Sequence, residues 1–197
     1  MRKLTPLLFT LLFIIPLACG EEEPEAVENG VEPAPERRDI NLERFGLTFT
    51  VGGDLWDSGE LIQDPAQNAD TALLRSPATG AYLSVLCRDT GRGLTDKDRD
   101  LALADKLWEL EPSLPGMKET GRELVEVGGI EAVRVELAFA VEGAPWRAWD
   151  WTLVEGTTLC GIQFAAPEEH WAGYADELAA ILSSFTLEAA DEVPPLS

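Results

Sequence analysis

Leu47, Phe49 and Val51 alternate with Thr48 and Thr50, a pattern that predicts a half-buried strand ended by Gly52-Gly53. Trp56 follows in an irregular stretch. Short strands are predicted over Glu60–Gln63 and Thr71–Arg75, and a clearer one over Ala81–Arg88. Thr95 stands where it can cap a helix over Asp96–Glu111, whose acidic first turn suits the positive end of the helix dipole. Leu103, Leu107 and Leu110, joined by Leu101 and Trp108, form its predicted apolar side, and Pro112 stops it.

The second half reads as a strand meander. Arg122–Val127 runs into Gly128-Gly129, a tight-turn signal, and returns as Ile130–Val141 with Val133, Val135, Leu137, Phe139 and Val141 on one face. Glu142–Trp146 reads as a turn and Arg147–Val154 as the next strand, with Trp149, Trp151 and Leu153 at alternate positions. A loop of that length sets Phe139 opposite Trp149 and Leu137 opposite Trp151, all on one face. The turn Glu155-Gly156-Thr157 leads to a last strand, Thr158–Ala165. Pro167, with Glu168 and Glu169 behind it, then opens a helix whose stripe is Trp171, Tyr174, Leu178, Ile181, Leu182 and Phe185. The predicted class is α+β, a central and mostly antiparallel sheet flanked by helices.

Both ends of the chain follow other rules. Met1-Arg2-Lys3 is positive and Leu4–Leu17 is almost wholly apolar, a stretch shorter than the roughly 20 residues a membrane-spanning helix needs. It reads as an export signal. Pro16-Leu17-Ala18-Cys19-Gly20 resembles the lipobox of bacterial lipoproteins. The resemblance implies that residues 1–18 are removed and that the Cys19 thiol carries a diacylglyceryl group, making a membrane the first partner. Two or three acyl chains anchor stably where one is marginal. By likeness to enterobacterial sorting, Gly20 after the cysteine favours the outer membrane over the inner. The rest of residues 19–38 holds seven glutamates and three prolines with no aromatic residue, so a disordered acidic linker is expected. A domain over 39–188 and a fraying acidic tail over 189–197 complete the expected organisation.

Charge and rare residues narrow the chemistry. With 36 acidic against 15 basic side chains the formal charge is −21, which opposes binding to nucleic acid. One histidine excludes multi-histidine metal centres. G-x-S-x-G, P-loop, H-E-x-x-H and dinucleotide fingerprints are all missing from the sequence, so no enzyme and no cofactor are expected. His170 fits a solvated position at the start of the last helix. Asp96, Asp98 and Asp100 alternate as in the first half of a calcium loop. Leu101 and Leu107 stand where that loop needs glycine and glutamate, so these aspartates read as a helix start and no metal site is expected.

Two groups of side chains stay open. Cys87 and Cys160 lie in predicted strands of an exported domain, where they either form a disulfide or serve as two buried thiols. Trp146, Trp149 and Trp151 are candidate contacts for a partner or ligand, by stacking on a sugar or an apolar surface. For Trp149 and Trp151 the alternative is the core. Trp146, beside the loop, is the one expected to be exposed.

Gly46-Leu47-Thr48-Phe49-Thr50-Val51 followed by Trp56, a mid-chain helix, a meander, Ala166-Pro167-Glu168-Glu169 and Ile181-Leu182-Ser183-Ser184-Phe185 together resemble the PsbP/Mog/DcrB-like superfamily over most of Phe45–Leu187. The resemblance implies an α/β/α sandwich and a non-catalytic accessory or binding role, and it transfers no catalytic residue. The expected function is therefore a membrane-anchored envelope lipoprotein that engages another envelope protein. The alternative is a carrier or sensor for a small ligand or calcium.

Overall fold

The computed structural model describes residues 36–114 and 116–187. Its strands are β1 (Arg37–Leu42), β2 (Leu47–Gly52), β3 (Glu60–Asp64), β4 (Ala69–Arg75), β5 (Tyr82–Asp89), β6 (Lys118–Val127), β7 (Ile130–Val141), β8 (Ala144–Glu155), β9 (Thr158–Pro167) and β10 (Thr186–Leu187). The helices are α1 (Asp96–Leu110) and α2 (Ala175–Ser184). Seven strands form one sheet in the order β3-β4-β5-β9-β8-β7-β6, and β1-β2-β10 form a second. Every pairing is antiparallel.

Alternation along the strands builds two cores, one on each face of the large sheet. On one face, Leu103 and Leu110 of α1 close over Tyr82, Val133, Val135, Leu137 and Ala148. On the other, Leu74, Leu83, Val85, Trp151, Leu153, Ile162 and Phe164 meet Leu47, Phe49 and Val51 of the small sheet together with Leu178 and Ile181 of α2. This is the expected α+β arrangement of a sheet flanked by helices. The second layer is richer than the pattern foretold, because α2 shares it with a three-stranded sheet. Arg37 and Arg38, assigned to the linker from sequence, are the first residues of β1 and pair with Gly52 and Val51 of β2. Their charge reads as tether; only the partner strand makes them part of a sheet.

Three further expectations are corrected. Leu101 and Trp108 do not belong to the apolar side of α1. They are 54% and 74% exposed, on the flank opposite fully buried Leu103. The last helix is not continuous from Pro167. Pro167 ends β9, Glu168–Tyr174 forms a 3₁₀ segment, and the α-helix begins at Ala175.

The third correction concerns the β7–β8 hairpin. Its loop is two residues, Glu142-Gly143, both at positive φ (51° and 87°), which is the twist-matched tight turn of hairpins. Phe139 therefore faces Trp146, while Trp149 faces Glu136 and Trp151 faces Arg134. The register differs by three residues from the expected one. An odd shift moves both tryptophans to the face opposite Val135 and Leu137. Pro145 is tolerated in β8 because it lies one residue beyond the reach of β9, whose last residue Pro167 pairs with Trp146. No ladder bond on that side needs the missing N–H.

Glycine decides one junction. Gly128, at φ 57° in the β6–β7 turn, lies so close to the carbonyl oxygen of Phe185 that a β-carbon would overlap it. The close approach locks the hairpin tip against the end of α2, where the Gly128 N–H donates to the carbonyl of Leu182 (3.2 Å).

Candidate functional site

The register of β7 and β8 assembles an arginine–tryptophan ridge on the α2 side of the sheet. Arg134 lies over the ring of Trp149 at 4.7 Å, and Arg147 lies over the ring of Trp171 at 4.9 Å. Between them the two indoles meet edge to face, with centroids 4.8 Å apart. Trp149 also touches Trp151 (5.8 Å), and Trp171 touches Phe164 (5.2 Å), so the ridge is rooted in the core. Each cation over a tryptophan face contributes about 0.5–1 kcal/mol where water has access, more where it is excluded.

Glu136 ties the ridge together. Its Oε1 accepts the Trp149 indole N–H at 2.9 Å, and its carboxylate pairs with Arg134 (3.5 Å) and Arg147 (3.9 Å). Arg147 also reaches Glu168 (3.7 Å), and Arg134 pairs with Glu123. Beside this lies a shallow cavity of about 200 Å³ lined by Gly121, Arg122, Glu123, Arg134 and Glu136. The volume is below the ~300–1,000 Å³ of ordinary small-molecule pockets. Because guanidinium groups already cover the indole faces, the ridge is not an open platform for stacking sugars. It offers guanidinium and carboxylate edges on a rigid aromatic base.

The candidate residues from sequence divide accordingly. Trp149 is half-buried in the ridge, Trp151 is 1% exposed and belongs to the core, and Trp146 is half-buried on the α1 face, stacked on Phe139 (6.4 Å). Trp146 is thus not the exposed one of the three; among the described residues the most exposed large apolar side chain is Trp108. Cys87 and Cys160 stand directly opposite each other on β5 and β9, Cα atoms 4.2 Å apart, and are joined by a disulfide in the core. Cys19 lies outside the described residues. His170 is 43% exposed in its side chain, and the acidic group it meets is Glu169 at 3.7 Å.

Asp96, Asp98 and Asp100 sit at the start of α1. The Asp98 carboxylate accepts from the Thr95 N–H (3.0 Å) and hydroxyl (2.7 Å), and Arg92 holds its pKa well below the usual carboxylate range. Asp96 and Asp100 each pair with Arg99 at 3.5 Å. Among the described residues no group of three His, Cys, Asp or Glu side chains could hold a metal ion.

Arg134, Glu136 and Arg147 carry no signal of a site in the sequence, and Trp171 stands there only as part of the stripe of the last helix. Arg134, Glu136 and Ala138 do alternate with the apolar face of β7. With the hairpin loop counted as two residues, those positions would have fallen opposite the tryptophans.

A second buried polar cluster lies beneath α1. Lys106 of α1 pairs at 2.5 Å with Asp150 of β8, which is fully buried. The Gln163 amide donates to the same carboxylate (3.2 Å), and the Tyr82 hydroxyl donates to the Gln163 oxygen (3.2 Å). Burial raises the Asp150 pKa above its ordinary 3.8, opposed by Lys106 and Gln163. A raised folded-state pKa means the native state holds the proton more tightly than the unfolded chain. Asp150 therefore contributes stability below about pH 3.8, lost as pH rises through the folded value. Relative to Asp150→Asn, the wild-type protein should lose stability in urea unfolding as the pH rises above about 4. A difference that is flat with pH, or grows in favour of wild type, would contradict this.

No family model matches the chain, and no curated protein matches it. Among solved structures, the solution structure of cyanobacterial PsbP (CyanoP) from Synechocystis sp. PCC 6803 aligns with TM-score 0.59 and 15% identity, covering 83% of this chain and 98% of that one. The fold is PsbP-like. LpqN, involved in cell envelope biogenesis of Mycobacterium tuberculosis, aligns at TM-score 0.47 and 17% identity over 77% of this chain and 90% of its own. At such identities the PsbP-like likeness covers backbone architecture, and the ridge has to be read from this chain's own residues.

Proposed function

We propose that this chain is a membrane-anchored bacterial envelope lipoprotein whose PsbP-like domain is a non-catalytic accessory module, docking on another envelope protein through the arginine–tryptophan ridge. The observation that carries the reading is the occupied state of the indole faces. Arg134 and Arg147 cap Trp149 and Trp171, leaving charged edges that suit a protein surface. The lipobox resemblance at Cys19 and the acidic segment behind it support tethering on the exported side of a membrane. Confinement to that layer raises the effective concentration of the domain near a membrane partner.

The test uses the full chain expressed in a bacterium. Metabolic labelling with an alkyne fatty acid should mark the wild-type protein and not Cys19→Ala, which should also leave the membrane fraction. A photo-crosslinking residue at Arg147 should then trap one defined envelope protein, and the same residue at Trp108 should not. Unchanged labelling of Cys19→Ala would end the anchor reading. Equal capture from both positions would end the ridge reading.

A further inference from the structure

Away from the ridge, two sheet edges border a groove. β1 is an edge of the small sheet and β3 an edge of the large one. β1 packs over β4, so a strand added to its free edge would lie over β3. The groove, about 400 Å³, is lined on one side by four consecutive residues of β1, Arg38 to Asn41. Side chains of consecutive strand residues point to opposite faces, so a run of four marks the hydrogen-bonding edge of the backbone. On the other side are Glu60 and Leu61 of β3, with Leu73 and Leu74 of β4 behind them. Leu61 is 58% exposed although it shares the core-side face with Ala72, which is 1% exposed.

The two ends of the groove differ in charge. At the start of β1, Arg38 has its Nε and Nη2 atoms shielded from solvent without a hydrogen-bond partner among the described residues. A shielded guanidinium without an acceptor is costly, and a carboxylate is its best-matched partner. At the far end stands Glu43, which has no ion-pair partner among the described residues. Four strand residues, Asp39 to Leu42, lie between Arg38 and Glu43, which opens the 3₁₀ turn after β1, so the two ends stand about 13–17 Å apart.

We propose that this groove receives the extended C-terminal tail of a partner protein, laid antiparallel along β1 with its terminal carboxylate on Arg38. The main chain of the tail satisfies the free edge of β1, an apolar side chain covers Leu61, and a basic residue five positions before the end meets Glu43. Strand addition of this kind draws affinity from main-chain bonds and specificity from alternate side chains. A second copy of this chain does not fit, because its own β1 comes flanked by β2 and by the sheet beneath. The chain's own last residues include Pro194-Pro195, which lack the N–H groups that strand addition uses. The inference does not depend on the ridge and survives its failure.

The probe is a fluorescein-labelled hexapeptide, Lys-Val-Thr-Val-Thr-Val, titrated into the full chain as the free acid and as the C-terminal amide. The free acid should bind saturably and at least about tenfold more tightly than the amide, the scale of one charge-assisted contact. Arg38→Gln should bring the acid down to the level of the amide, Arg75→Gln should change neither, and Leu61→Lys should weaken both. Hydrogen exchange should show new protection of β1 amides when the acid is bound. Equal affinities for acid and amide, no saturation below 1 mM, or binding without protection of β1 would each overturn the proposal. So would a Leu61-dependent dimer in sedimentation that the peptide fails to displace.

Discussion

Glu177→Ala should destabilise the domain by about 3–4 kcal/mol, the sum of two buried donors left without acceptors. Glu177 is on α2 and only 8% exposed. Its Oε1 accepts the backbone N–H of Gly52 at 2.7 Å and the indole N–H of Trp56 at 3.2 Å, and its Oε2 takes Arg37 at 3.3 Å. One carboxylate thus holds together the end of β2, the tryptophan after it and the first residue of β1. Gly52 belongs to the same device, because a β-carbon there would stand 3.2 Å from Oε2. Glu177→Gln keeps an oxygen where Oε1 was, so both neutral donors retain an acceptor and only the half-exposed Arg37 loses its charged partner. That variant should lose about 1 kcal/mol. In urea titrations, a loss below 1 kcal/mol for the alanine variant would remove Glu177 from this role. Equal losses for alanine and glutamine would locate its effect in charge instead of hydrogen-bond geometry.

Opening the Cys87–Cys160 bridge should lower stability by about 4 kcal/mol, the chain-entropy value for its loop of 73 residues. For a domain of this size that corresponds to a thermal midpoint lower by roughly 8–16 °C. The bridge links the central strands β5 and β9 directly across the ladder, so it constrains the unfolded chain while asking little movement of the native sheet. Thermal unfolding with and without a thiol reductant gives the size. Alkylation of the denatured chain, before and after reduction, shows whether the bond is present. Alkylation of Cys87 and Cys160 without prior reduction, or a midpoint that reductant leaves in place, would show that two thiols occupy the core.

Where the chain's own pattern was strong, the elements followed it. The alternation of Leu47, Phe49 and Val51 yields β2, and the runs over Ile130–Val141 and Thr158–Ala165 yield β7 and most of β9. Asp96 and Asp98 behind Thr95 mark the start of α1 to the residue. Periodicity of this kind survives because each face meets one environment along its whole length. The ridge was only half legible. Trp149 stood out for its type, but its partners depended on counting Glu142-Gly143 as the loop. A three-residue error in register exchanges the faces of a strand. Trp108 failed differently, since helical spacing places a side chain on a flank without saying which flank the sheet covers.

The sequence by itself determined the acidic balance, the α+β class and the positions of most strands and of α1, because these rest on local composition and short-period repeats. Tertiary structure alone decided that Arg37 and Arg38 enter a sheet, that Glu177 clasps β2, that Cys87 faces Cys160, and that two arginines cap two tryptophans. Each of those contacts joins residues far apart in the chain. Their energy comes from donors, charges and ring faces brought together when water is excluded, and no local pattern records which distant residue will arrive.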